Sequence, residues 1–151
     1  MTLLDAQEYD SARARRRRIK IAGVVMIVLI IAGLIWTFRY WQEERIVDHF
    51  FDALQNKNYE TAYGIWLHDP QWKQHPQKYS QYPFNEFYLD WGPGGEWGLI
   101  KSHEIYGAAS PKSSGDGIVS GIIVEVVVNE RVKHARIWVE KKDNTLSFSP
   151  F

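Results

Sequence analysis

The sequence contains no cysteine. That excludes a disulfide framework, a thiolate zinc site, a catalytic thiol and the lipid-bearing cysteine of a bacterial lipobox, so any folded part must stand on packing alone. Also missing are a Gly-x-Ser-x-Gly elbow, a phosphate loop and a dinucleotide fingerprint. The run Gly92-Pro93-Gly94-Gly95 follows a helix-forming stretch, whereas phosphate cradles precede one. The histidines, His49, His68, His75, His103 and His134, have neither i, i+4 nor His-x-His spacing. No catalytic residue, no metal site and no cofactor is expected. Excess charge of one sign is absent as well, with 18 basic and 18 acidic residues, but the balance conceals an asymmetry. Arg13, Arg15, Arg16, Arg17, Arg18 and Lys20 face only Asp5, Glu8 and Asp10 in the first twenty residues, and the rest of the chain is acidic by the same margin.

Charge of any kind is missing from Ile21 to Phe38. At about 1.5 Å per residue this run covers roughly 27 Å, close to the ~30 Å hydrocarbon thickness of a bilayer, and Ile19 with the stems of Lys20 and Arg39 extends it. A buried core helix keeps one polar face, and here no face is polar. A transmembrane helix is expected over 19–41, with a cytoplasmic tail over 1–18. The arginine-rich flank predicts the N-terminus inside and the remaining chain outside, and the size and topology suit the periplasmic side of a bacterial inner membrane. Arg15, Arg16, Arg17, Arg18 and Lys20 are the inner anchors; Trp36, Tyr40 and Trp41 are the outer aromatic belt. Trp36-Thr37-Phe38-Arg39 lacks the small residues of a cleavage site, so the helix is read as an uncleaved signal anchor. The arginine run is read as a topology determinant in preference to a twin-arginine signal or a nucleic-acid patch.

At 151 residues there is room for one further domain, residues 43–151. Ile46, Val47, Phe50, Phe51 and Leu54 recur at spacings of three and four, predicting a helix over 43–55. Asn58 suits a cap, and Tyr59, Ala62, Tyr63 and Trp66 predict a second helix over 59–67. His68–Pro83 holds three prolines and no period, and reads as a loop. Phe84, Phe87, Tyr88 and Trp91 predict a third helix over 83–91. Beyond Trp97 the period becomes two, predicting strands over 98–108, 117–129, 131–140 and 145–149. The expected class is α+β: two or three helices packed on a curved antiparallel sheet of about four strands. No internal repeat is visible.

A two-residue turn at Asn129-Glu130 would put Ile118, Ile122, Val124, Val126, Ala135, Ile137 and Val139 on one apolar face. The other face would carry Glu125 opposite His134, with Arg136 one diagonal away and Trp138 beyond. This second face is the expected interaction surface, and its Glu125–His134 pair reads as an exposed ion pair in preference to an acid/base pair. Trp91, Trp97, His103 and Tyr106 are the candidate lining of a ligand mouth, with Trp72 and Asp90-Trp91-Gly92 on its rim.

The run from Val47 to Tyr63, VDHFFDALQNKNYETAY, resembles the opening helices of nuclear-transport-factor-2-like (cystatin-like, SnoaL-like) domains. In those an apolar helix with F-x-A-L-x-x-x-D/N-Y-x-x-A-Y precedes further helices and a curved sheet wrapped round the first. Only four strands are expected here, and none between the helices. The resemblance implies a ligand binder, an enzyme or a pure interaction module, since this fold hosts all three, and no catalytic residue carries over. A membrane-anchored version with this topology is similar to inner-membrane scaffold subunits of type IV secretion systems. The expected role is a membrane-anchored assembly module of the cell envelope; a pocketed ligand-binding or enzymatic domain is the alternative. Its expected partners are membrane lipid, other membrane or envelope proteins and a second copy of itself, with no nucleic acid.

Overall fold

The computed structural model describes residues 11–111 and 120–150. The chain falls into two units, Met1–Arg39 and Tyr40–Phe151. In the first, helix α1 runs unbroken from Ser11 to Thr37. Its apolar side chains from Ile19 to Trp36 are exposed. It is long and apolar enough to span a membrane. The Thr37 hydroxyl donates back to the Gly33 carbonyl at 2.9 Å, and the Arg39 guanidinium lies 4.9 Å from the centre of the Trp36 ring.

The helix therefore ends short of the expected 41. A turn at 38–40 separates it from α2, Trp41–Gln55. Tyr40, expected in the aromatic belt, belongs to the second unit and packs against its core. Trp41 is exposed, with Arg45 over its ring at 5.1 Å.

In the second unit α2 carries the stripe that its periodicity predicts: Val47, Phe50, Phe51 and Leu54 are buried, while Ile46 is only partly covered. Lys57 turns the chain with a φ of 57°, and the Asn58 side chain accepts from Thr61 N–H at 3.2 Å, capping α3, Tyr59–Trp66. The segment expected as a bare loop contains two 3-10 turns, Trp72–Gln74 and Pro76–Tyr79. Aromatic packing holds it in place. Trp72 stacks on Phe84 at 5.3 Å and meets Tyr63 edge-on at 4.9 Å, and Tyr63 donates to the Tyr82 carbonyl at 2.5 Å. Helix α4, Phe84–Trp91, adds Phe87 and Trp91 to the core. The return after α4 demands glycine, because a Cβ at Gly95 would sit 1.9 Å from the Asp90 carbonyl oxygen.

The four strands, β1 His103–Ala109, β2 Gly121–Val128, β3 His134–Glu140 and β4 Leu146–Phe148, form a curved, unclosed antiparallel meander in the order β1-β2-β3-β4. The architecture is α+β, helices first and sheet last. Ile122, Val124, Val126, Val128, Ala135, Ile137, Val139 and Leu146 point into one core with the helices. At its centre Phe50 lies within 5.1–6.2 Å of Phe51, Trp66, Phe87 and Trp91. Residues 117–119 of the expected second strand, Ile118 among them, lie outside the described residues.

Two strand expectations are corrected. Residues 98–102 form no ladder, since Gly98 takes a φ of 63° and the Asn129 side chain occupies the backbone beyond it. Its Oδ1 accepts from Lys101 N–H at 2.7 Å and Ser102 N–H at 3.3 Å, and its Nδ2 donates to the Leu99 carbonyl at 2.9 Å. The hairpin register also differs. Asn129 and Glu130, with φ of 52° and 56°, do make the two-residue turn, closed by Arg131 N–H to the Val128 carbonyl at 3.0 Å. Pairing resumes, however, only at Val127↔His134, leaving Val132 and Lys133 as two extra residues. Lys133 is drawn aside into an ion pair with Glu96, and the Arg131 guanidinium donates to the Glu96 carbonyl at 3.0 Å. Because the slip is two residues, every side chain keeps its face.

Candidate functional site

The outer face of the sheet gathers the residues expected there. Directly across β2 and β3 stand Glu125 and Arg136, not Glu125 and His134. The Arg136 Nε–H donates to Glu125 Oε1 at 3.0 Å, and His134 Nδ1 approaches the other carboxylate oxygen at 3.4 Å from the diagonal position. One carboxylate thus organises both Arg136 and His134, and all three side chains remain in contact with water.

Tyr106 joins this cluster through a bulge. The register passes from Ile105↔Val126 to Gly107↔Glu125, so Tyr106 is an extra residue, and its ring rests 4.5 Å from the His134 ring while staying 68% exposed. At the other end Trp138 lies across Gly121, where an added Cβ would meet the indole at 2.3 Å. Its Nε1–H donates to Glu140 Oε2 at 3.4 Å, an oxygen that also accepts from Ser120 at 2.9 Å. Half-buried Ile123 and Val127 fill the space between these groups. The result is an aromatic and aliphatic surface around one charge network.

The four residues expected at a ligand mouth occupy three places. Trp91 and Trp97, 2% and 7% exposed, do come together, as walls of a cleft of about 310 Å³ shared with Asp90, Gly94, Glu96 and Phe148. Beside it the Tyr82 hydroxyl donates to Asp90 Oδ2 at 2.7 Å. Burial, then that bond, pushes the Tyr82 phenol up. The Trp91 indole N–H is buried with no acceptor among the described residues, its ring meeting Phe50 and Phe51 edge-to-face. His103 turns inward onto α2. Its Nε2 lies 3.1 Å from Asp48 Oδ1, its Nδ1 lies 3.1 Å from Gln55 Oε1, and its ring stacks on Phe51. Tyr106 faces the other way, on the outer sheet surface.

A groove of about 1040 Å³ between α2, α3 and the first 3-10 turn was not foreseen as a cavity. Ile46, Ile65 and Trp72 line it, with His49, His68 and the Glu60–Lys73 ion pair at its rim. Of these, only Trp72 was expected on the rim of a ligand site, because the groove is made by the packing of an aperiodic loop. Comparison with protein-family models, with curated proteins and with solved structures finds no match to this chain.

Proposed function

We propose that this protein is a single-pass, membrane-tethered interaction module of the cell envelope, with its arginine-rich end in the cytoplasm and residues 43–151 on the periplasmic side of a bacterial inner membrane. The apolar circumference of α1 supports the tether, and the basic flank supports the orientation. The observation that carries the module reading is the outer sheet face. Tyrosine, arginine and tryptophan dominate binding energy at protein interfaces, and Tyr106, Arg136 and Trp138 stand together there. The partner is a folded envelope protein that offers a carboxylate to Arg136 and apolar side chains to Tyr106 and Trp138. The run Val47–Tyr63 supports a kinship of the domain with nuclear-transport-factor-2-like modules.

Crosslinking tagged full-length protein in its native membranes, then identifying what purifies with it, tests this reading. A single partner in near-stoichiometric yield is expected, and Tyr106→Ala with Arg136→Ala and Trp138→Ala should cut its recovery at least about tenfold, since one such anchor contributes roughly 2 kcal/mol. Unchanged recovery from the triple variant rejects the sheet face. The groove beside α3 favours a second reading, a binder of small apolar ligands. A thermal shift of the full-length protein with a member of a metabolite set, lost on Ile65→Trp, would shift the assignment there.

A further inference from the structure

We infer that the basic end of α1 is a collar for anionic phospholipids, recognising their phosphates from every side of the helix. The inference rests on the membrane reading above. Helix α1 does not break where its apolar run begins; it continues back to Ser11, so Arg15, Arg16, Arg17, Arg18 and Lys20 lie on the same rigid rod as the apolar residues, all exposed. At about 1.5 Å per residue, Lys20 adjoins the apolar run, Arg18 stands roughly 4.5 Å before Ile21 and Arg15 roughly 9 Å. The headgroup layer is about 5–8 Å deep on each side, so these groups sit at the depth of lipid phosphates, within reach of their flexible stems.

Their angular distribution decides the kind of partner. Successive residues turn by about 100°, so Arg15, Arg16, Arg17 and Arg18 fall near 0°, 100°, 200° and 300°, and Lys20 near 140°. No gap exceeds about 100°. A helix that docks on one protein concentrates its contacts on one stripe; this one presents cations all round, which only a surrounding medium can meet at once. Guanidinium groups pair with phosphate oxygens through two parallel N–H bonds, and a basic residue near an anionic surface contributes about fivefold in partition.

The test reconstitutes full-length protein into phosphatidylcholine vesicles containing a minority of phosphatidylglycerol, with flotation after alkaline wash as the control for anchoring. Trace spin-labelled phosphatidylglycerol and phosphatidylcholine then report which lipid is held against the protein. Phosphatidylglycerol should be enriched about fivefold or more in the held fraction. Arg15→Gln, Arg16→Gln, Arg17→Gln, Arg18→Gln and Lys20→Gln together should abolish the enrichment while flotation persists. The pairs Arg15→Gln/Arg18→Gln and Arg16→Gln/Arg17→Gln, one on each side of the helix, should each remove a similar share. Equal retention of both lipids by floating wild-type protein overturns the collar and leaves the tether standing. Loss of the whole effect with one pair identifies a face and overturns the collar equally. Protein that does not float with the vesicles overturns the membrane reading itself, and preferential capture of duplex RNA over the vesicles replaces the lipid with a nucleic acid.

Discussion

Strands β2 and β3 carry two faces that differ by one residue in sequence and by everything in environment. Val124, Val126, Ala135, Ile137 and Val139 are sealed against the helices; Ile123, Glu125, Val127, His134, Arg136 and Trp138 alternate with them and meet water. The inner face is held by area removed from water, at roughly 25 cal/mol per Å², while the outer face holds an ion pair whose net worth is about 0–1 kcal/mol. The domain can therefore vary its outer chemistry at little cost in stability, which is what a recognition surface on a packed scaffold requires.

The largest expected effect lies on the inner face. Ile137→Ala should cost about 2–5 kcal/mol in denaturant unfolding of the full-length protein, whereas Arg136→Ala, its neighbour in the same strand, should change stability by less than about 1 kcal/mol. Equal losses would erase the distinction between the faces. Gly121→Ala comes next, since its methyl group would strike the Trp138 indole at 2.3 Å. A loss of about 1–3 kcal/mol is expected, and Trp138→Ala in the same chain should recover most of it. Failure of that rescue would mean that the indole is not what confines position 121. A smaller effect is expected at Glu125→Gln. Stability should fall by no more than about 1 kcal/mol, while recovery of the proposed partner drops as Arg136 and His134 lose the carboxylate that positions them.

How far these faces were legible in the sequence follows from where the information sits. The parity of each strand is local, so Ile122, Val124, Val126, Ala135, Ile137 and Val139 fall on the inner face and Glu125, His134, Arg136 and Trp138 on the outer one as expected, and the bounds of α2, α3 and α4 fell within two residues because stripe and cap are also local. Register was not local. The type of turn at Asn129-Glu130 was readable from its two residues, but the two extra positions after it depend on Glu96, some thirty-five residues earlier, pulling on Arg131 and Lys133. The same holds for Asn129, whose side chain cancels the first residues of the expected strand, and for Tyr106, which reaches the outer cluster only through a bulge. His103 read as one of a mouth because it was judged alone. Its partners, Asp48 and Gln55, lie about fifty residues away on α2.

The smallest expected effect lies away from both faces and isolates what an acid contributes when it holds backbone. Asp69 accepts from the Tyr79 hydroxyl at 2.6 Å and from Gln71 N–H at 2.8 Å, and these bonds, the hydroxyl first, hold its carboxyl below the usual aspartate range. Asp143 is lowered in the same manner by the Thr145 hydroxyl and N–H. For a carboxyl depressed on folding, the stabilisation is complete above the unfolded value and is lost as pH falls through the lower folded one. Thermal midpoints measured between about pH 2 and 5 should therefore fall with acidification, more gently in Asp69→Asn with Asp143→Asn, because an amide can still accept the N–H bonds but does not titrate. Parallel curves for the double variant and the native chain would move the acid sensitivity to other carboxylates and leave these two turns as pH-indifferent fasteners.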